Sequence, residues 1–317
     1  MTGGMLTLQV AARTTEAQGI AGLELVDPQG APLPEWSPGA HIDVRIDRPG
    51  LPTLVRPYSL CGDPGDRTRY RIAVLREGEG EGGSRHLHDE VRQGQLVQVG
   101  APRDLFRFEP RPRIVFVAGG IGITPILPMI AAADAAGSDW QLHYAGRDPA
   151  TMAFGAHLGQ YGSRVHTYAG SAGGRMALGD IVAAASGAVV YACGPTRLLN
   201  DLEERCAAAG TELVVERFVN DAEVIAADDH AFEVELSLSG KTFVVQPGES
   251  ILTKVIEAGV PAPSSCRGGT CGTCETFVVS GQPDHRDAVL NAREREESEV
   301  MMICVSRCTG ARLVLEL

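Results

Sequence analysis

The chain has 317 residues, a formal net charge of −12 and 44% hydrophobic residues. That length accommodates two or three domains of ordinary size, each with a proper apolar core. So acidic a chain is a poor match for nucleic acid or an anionic membrane surface, and neither is expected as a partner.

The first 18 residues lack a basic region followed by an apolar stretch, so no secretory signal is expected. Residues 1–110 then carry short alternating apolar and polar runs, such as 41–46 and 70–75. Turn clusters at 47–50 and 62–65 separate them, the pattern of an antiparallel β-barrel. Two segments in this region suit a phosphate-bearing ligand. One is Arg56-Pro57-Tyr58-Ser59-Leu60, where a guanidinium can hold a phosphate and an aromatic ring can lie on a flat cofactor. The other is Gly82-Gly83-Ser84-Arg85, with amides and a hydroxyl. His41 reads as a hydrogen-bonded core residue.

After Arg111-Pro112-Arg113 the rhythm changes. Apolar strands at 114–118, 140–145 and 189–192 alternate with helical stretches at 125–136 and 196–209, which predicts a parallel α/β sheet over 111–220. The run 114–133 has no charged side chain and the length of a membrane span. Gly119, Gly120, Gly122, Pro125 and Pro128 interrupt it, so it reads as a buried strand, a turn and a helix. The turn Gly119-Gly120-Ile121-Gly122-Ile123-Thr124-Pro125 offers N–H groups to a pyrophosphate without matching G-x-G-x-x-G. Cys193-Gly194-Pro195 ends a later strand, and both ends are expected to face one site.

An acidic stretch, 221–230, reads as a linker. Residues 231–317 open with a hairpin (234–238 and 243–245, turning at Ser239-Gly240). A helix follows, started by Glu249-Ser250 and stopped near Gly259-Val260-Pro261. A second helix is expected over 287–297, with Glu294, Glu296, Glu297 and Glu299 on a solvated face, and a last strand over 313–315.

Between these helices lie Cys266, Cys271 and Cys274, and Cys304 follows after the 29 residues 275–303. This is the C-x₄-C-x₂-C…C spacing of a plant-type [2Fe–2S] ferredoxin. A structural zinc site more often shows two C-x₂-C pairs, and a disulfide framework suits a small secreted chain. Four further cysteines, Cys61, Cys193, Cys206 and Cys308, lie outside this set, and Cys308 reads as a buried thiol rather than a substitute ligand. Reduced thiols with an iron–sulfur site point to the cytoplasm.

Nicotinamide nucleotides deliver two electrons together, whereas such a cluster takes one. A flavin between them reconciles the two counts, so a flavin site is expected upstream.

Arg56-x-Tyr58-Ser59, Gly82-Gly83-Ser84, the 119–125 turn, Cys193-Gly194-Pro195, Glu216-Arg217-Phe218 and the cysteine loop occur in that order. With them, nearly the whole chain resembles the phthalate dioxygenase reductase family, which includes vanillate O-demethylase reductase subunits. The resemblance implies a multidomain fold: an FMN-binding antiparallel β-barrel domain, an NADH-binding α/β domain with a parallel sheet, and an α+β, β-grasp ferredoxin domain. Electrons would pass from NADH through FMN and the [2Fe–2S] cluster to a separate terminal oxygenase of the Rieske type, an aromatic hydroxylase or O-demethylase. A haem monooxygenase partner, or a stand-alone NADH:acceptor oxidoreductase, is the alternative.

The same resemblance implies FMN contacts from Arg56, Tyr58, Ser59, Gly83 and Ser84. It implies NADH contacts from Gly120, Thr124 and Gly194, with Cys193 beside the nicotinamide, Phe218 covering the flavin and Glu216 nearby. Arg147 and Asp148 fall where the adenosine ribose would lie; a carboxylate there favours NADH over NADPH, while Arg147 argues the other way. Pro57 and Arg267 depart from the commoner residues. A monomer is expected, and no residue reports the oxygenase or its substrate.

Overall fold

A computed structural model describes residues 5–79, 81–220 and 229–317. It divides after Phe218 into two compact units. Most of the expected 221–230 linker lies outside the described residues.

The first unit contains two sheets. Six antiparallel strands run in the order Leu54–Ser59, His41–Ile46, Leu96–Val99, Leu6–Ala17, Ile20–Val26, Arg69–Leu75. A bridge between Leu60 and Ile72, backed by the Cys61 N–H donating to the Arg71 carbonyl at 2.9 Å, joins the first strand to the last. The sheet is thereby closed, which removes its exposed edges. The second sheet is wholly parallel, in the order Glu212–Glu216, Val189–Cys193, Arg113–Gly119, Asp139–Gly146, Val165–Ala169. Arg113–Gly119 is central, and every residue after Arg113 is buried, as a strand covered on both faces requires.

Barrel and parallel sheet share a core. Ile20, Cys61, Ala73 and Phe106 from the barrel side pack in one cluster with Phe116, Ile126, Trp140 and Tyr191. Each such large side chain contributes about 1.5–3 kcal/mol on burial. This shared core holds the barrel against one face of the parallel sheet. The run 114–133 resolves into a strand, a glycine turn and the Ile123–Ala135 helix. Among the described residues no helix is long and apolar enough to cross a membrane.

The second unit is a mixed sheet ordered Lys241–Val245, Phe232–Leu236, Arg312–Leu315, Glu275–Ser280, Val300–Met302, with the Phe232–Leu236/Arg312–Leu315 pair parallel. The Ile251–Glu257 helix supplies Ile251, Leu252 and Val255 to its core. Ser250 caps that helix by accepting from the Thr253 N–H at 3.2 Å. The second expected helix is a correction: it covers only Ala292–Glu297. The Asp287 carboxylate accepts from the Val289 and Leu290 amides at 3.0 and 2.8 Å, which holds 287–290 as a turn, and Asn291 is the true cap. The glutamates there are also partly employed. Glu294 completes the capping box and Glu297 pairs with Arg293.

Candidate functional site

In an open parallel sheet, ligands bind beyond the strand carboxyl ends where the strand order reverses. Here that point lies between Arg113–Gly119 and Val189–Cys193, whose register pairs Ala118 with Cys193. The two following turns touch closely. A Cβ added at Gly122 would sit 2.3 Å from the Cys193 carbonyl oxygen, and one at Gly194 would sit 3.0 Å from the Gly119 Cα. Only glycine fits at Gly122, and at Gly194 a side chain would press on the Gly119 backbone. Gly120 has φ +56° with open space where a side chain would be, so its backbone faces the cleft unobstructed. Buried Thr124 donates its hydroxyl to the Ile121 carbonyl at 2.9 Å and tightens the turn. Two of the expected residues, Gly120 and Thr124, therefore stand at one end of the switch point, and Cys193 and Gly194 at the other.

Cys193 is fully buried, and its thiol donates to the Glu216 carboxylate at 3.9 Å from the neighbouring strand. Burial pushes the Cys193 thiol well above its ordinary range, so it stays neutral. Burial, and then the negative charge of Asp104, push the Glu216 carboxyl up to about 8. A carboxyl so perturbed in a cleft marks a functional site. Asp104 has no signal in the sequence; the fold alone brings it there from the barrel side.

On the barrel, Arg56 and Tyr58 share one face of the Leu54–Ser59 strand, while Ser59 alternates to the other. The buried Ser59 hydroxyl has no hydrogen-bond partner among the described residues, an oxygen left for a bound group. Arg56 pairs with Glu81, and the Gly83 Cα packs against its stem, with a Cβ there 3.5 Å from Arg56 Cγ. Arg48 and Arg85 close in beside them, each 3.3 Å from a Cβ placed at Gly82. Three guanidiniums and the Gly82-Gly83 backbone thus fit a phosphate. Nothing in the spacing singles out Arg48, which lies in a turn far upstream. The Ser84 hydroxyl accepts from the Glu77 N–H at 3.1 Å and keeps its own proton to give.

Other expected residues are not drawn in. Both oxygens of Asp148 already accept, from the Ala150 N–H at 2.9 Å and the Ser171 hydroxyl at 2.7 Å, and the Ser171 bond leads in holding its carboxyl below the usual range. Arg147 is exposed beside it, and Phe218 is 39% exposed at the end of the unit. His41 is buried and bonded to Arg103 at 3.2 Å, as a core histidine should be.

In the second unit the four cysteines assemble. Hydrogen bonding links Cys271 to Cys266, Cys266 to Cys304 and Cys304 to Cys274. Bonds from the Cys271 and Cys304 thiols hold Cys266 far below the ordinary thiol range, the thiolate form that iron binds. The Gly268 and Thr270 amides also point at the Cys266 sulfur, each at 3.4 Å. Arg267 reaches this geometry at φ +55°, a region that favours glycine. Gly269 is glycine of necessity: a Cβ would lie 2.6 Å from Val305 Cγ2 and 3.1 Å from the Asp287 Cα. Among the described residues no three ligating side chains converge as a single metal ion would require, whereas a [2Fe–2S] cluster asks only two thiolates per iron. Cys308 stays apart, buried and bonded to the Arg312 carbonyl at 3.5 Å.

A flavin-type barrel, a nucleotide sheet and a cysteine-loop domain in series define a flavin- and nicotinamide-linked iron–sulfur oxidoreductase. Residues 234–309 match the 2Fe-2S iron-sulfur cluster binding domain. Phenoxybenzoate dioxygenase subunit beta of Ectopseudomonas oleovorans is 39% identical over 98% of this chain and 97% of its own length. The solved structure of phthalate dioxygenase reductase, described as a modular structure for electron transfer from pyridine nucleotides to [2Fe–2S], is 37% identical. It covers 99% of this chain and 98% of that one, with a TM-score of 0.71. An intact type IV self-sufficient cytochrome P450 monooxygenase is 42% identical with a TM-score of 0.90, and this chain spans 41% of its length. The chain belongs to the phthalate dioxygenase reductase family.

Proposed function

We propose that the chain is the NADH-dependent reductase of an oxygenase system, carrying electrons from NADH through FMN and a [2Fe–2S] cluster to a terminal oxygenase. The observation that carries this reading is the contact of Gly119 and Gly122 with Cys193 and Gly194 at the switch point, inside the same compact unit as the barrel. Bound to the barrel, FMN takes electrons in pairs and releases them singly.

The residues divide the work as follows. Arg48, Arg56 and Arg85 neutralise the FMN phosphate, with Gly83 and Ser84 completing its cradle. Tyr58 lies along the ring, Ser59 donates its free hydroxyl, and Phe218 covers the open face. Gly120, Thr124 and Gly194 seat the nicotinamide nucleotide, and the neutral Cys193 thiol and Glu216 border the nicotinamide. Arg147 and Asp148 stand where the adenosine ribose would lie; with both oxygens already accepting from its own turn, Asp148 acts there as a negative charge that disfavours a 2′-phosphate. Cys266, Cys271, Cys274 and Cys304 hold the cluster. No acid or base is needed for hydride transfer, so the protein's part is to position the rings.

The terminal acceptor is a Rieske-type oxygenase acting on an aromatic ring or an O-methyl group. The likeness to a self-sufficient P450 favours a haem monooxygenase as the second reading. We place the protein in the cytoplasm as a monomer, the first on its eight free cysteines.

Purified protein should reduce cytochrome c with NADH at a kcat/KM roughly tenfold or more above that with NADPH, the effect of about one charged contact at the ribose. A preference for NADPH would reassign Arg147 and Asp148. No turnover with either nucleotide would reject the reading.

A further inference from the structure

Residues 286–288 stand behind both parts of the cysteine set. The Ala288 N–H donates to the Gly269 carbonyl at 2.8 Å, inside the loop between Cys266 and Cys271. The Arg286 N–H donates to the Ser306 hydroxyl at 3.2 Å, just beyond Cys304. Asp287, between them, has a fully buried carboxylate. One of its oxygens accepts from the Ser306 hydroxyl at 3.4 Å, and the other holds the Val289 and Leu290 amides. The charge of that carboxylate is only partly offset. The Arg295 guanidinium lies 3.5 Å away, is 32% exposed, and also donates to the His285, Asp287 and Leu290 carbonyls. Arg286 is engaged with Asp229 and Asp284. His285 Nδ1 lies 3.9 Å away, and burial holds that imidazole below its ordinary range, so it is neutral at neutral pH.

We propose that Asp287 is a positioning residue for the iron–sulfur cluster. It braces the three-cysteine loop against the segment that carries Cys304, and its buried negative charge lowers the reduction potential of the cluster they hold. Groups just behind metal ligands orient those ligands and tune the metal, and net charge is one of the levers that set an iron–sulfur potential. A charge shielded from water acts more strongly than an exposed one. This role rests on the cysteine-held cluster and is independent of the electron donor and of the terminal acceptor.

The flavin-loaded full chain is titrated anaerobically, with the EPR signal of the reduced cluster as the readout. In Asp287→Asn, which keeps the shape and removes the charge, reduction should be favoured roughly tenfold or more, about +59 mV for one electron. Asp287→Glu, which keeps the charge, should restore most of the native potential. Ser306→Ala keeps the charge and weakens the brace: iron affinity against a chelator should fall roughly 10–100-fold, with no rise in potential. A midpoint unmoved in Asp287→Asn overturns the proposal. So does a rise of the same size in Asp287→Glu, since the charge is then not its cause. Where Asp287→Asn takes up no cluster, Ser306→Ala decides, and iron held there as firmly as in the native protein overturns the proposal. A native sample without the EPR signal fells the cluster assignment as well, a result distinct from an unmoved midpoint.

Discussion

Cys304→Ser abolishes the cluster and cytochrome c reduction while NADH–ferricyanide activity at the flavin survives. Cys304 is buried in the second unit and its thiol contacts both Cys266 and Cys274, so it ties the distant ligand to the loop. A serine hydroxyl is a poor thiolate substitute for iron. Changes merely behind metal ligands cost 10–100-fold, so losing one of four ligands should cost on the order of 100-fold or more in cytochrome c turnover. The ferricyanide rate should stay within about twofold of native, because mutations far apart with no shared partner act independently. Barrel and nucleotide sheet share one core, and the cluster domain has a separate one. Iron and acid-labile sulfide analysis beside the two assays checks this. Loss of both activities would mean that the division of labour between the units is wrong.

The second large effect is at the flavin phosphate. Arg56→Ala should yield protein depleted in FMN, with affinity lowered roughly 10–100-fold, the equivalent of about 1.5–3 kcal/mol for a hydrogen bond to a charged group. Arg56 is held by the Leu54–Ser59 strand and by its packing under Gly83, so its guanidinium is already poised at the cradle. Its present partner, Glu81, is a carboxylate that a phosphate would displace. Fluorescence titration of the stripped variant with FMN measures the change. Unchanged flavin content would take Arg56 out of the site.

Local signals in the chain announce local features well. The cysteine spacing marks the cluster loop, the 119–125 glycines mark the switch-point turn, and Ser250 and Gly259 bracket the helix between them. Such features depend on a few adjacent residues whose φ angles, amides or thiols have one use. The 287–297 helix is misplaced in the sequence pattern for a related reason. Helix-forming residues there are outbid by a single carboxylate, Asp287, that captures two amides. Features assembled over long range leave no such trace. Arg48 reaches Gly82 across 34 positions, and the charge of Asp104 bears on Glu216 across 112, through a barrel and a sheet that had to pack first. Asp148 shows the reverse: a residue marked for a ligand spends both oxygens on its own turn.

The central claim is that one chain splits a pair of electrons from a nicotinamide nucleotide and forwards them through iron and sulfur. Anaerobic mixing with one equivalent of NADH, followed by absorbance and low-temperature EPR, tests it most directly. Bleaching of the flavin bands and then the rhombic EPR signal of a reduced [2Fe–2S] cluster, accounting for about one spin per chain, is the predicted result. Flavin that bleaches while the protein remains EPR-silent through many turnovers would contradict it.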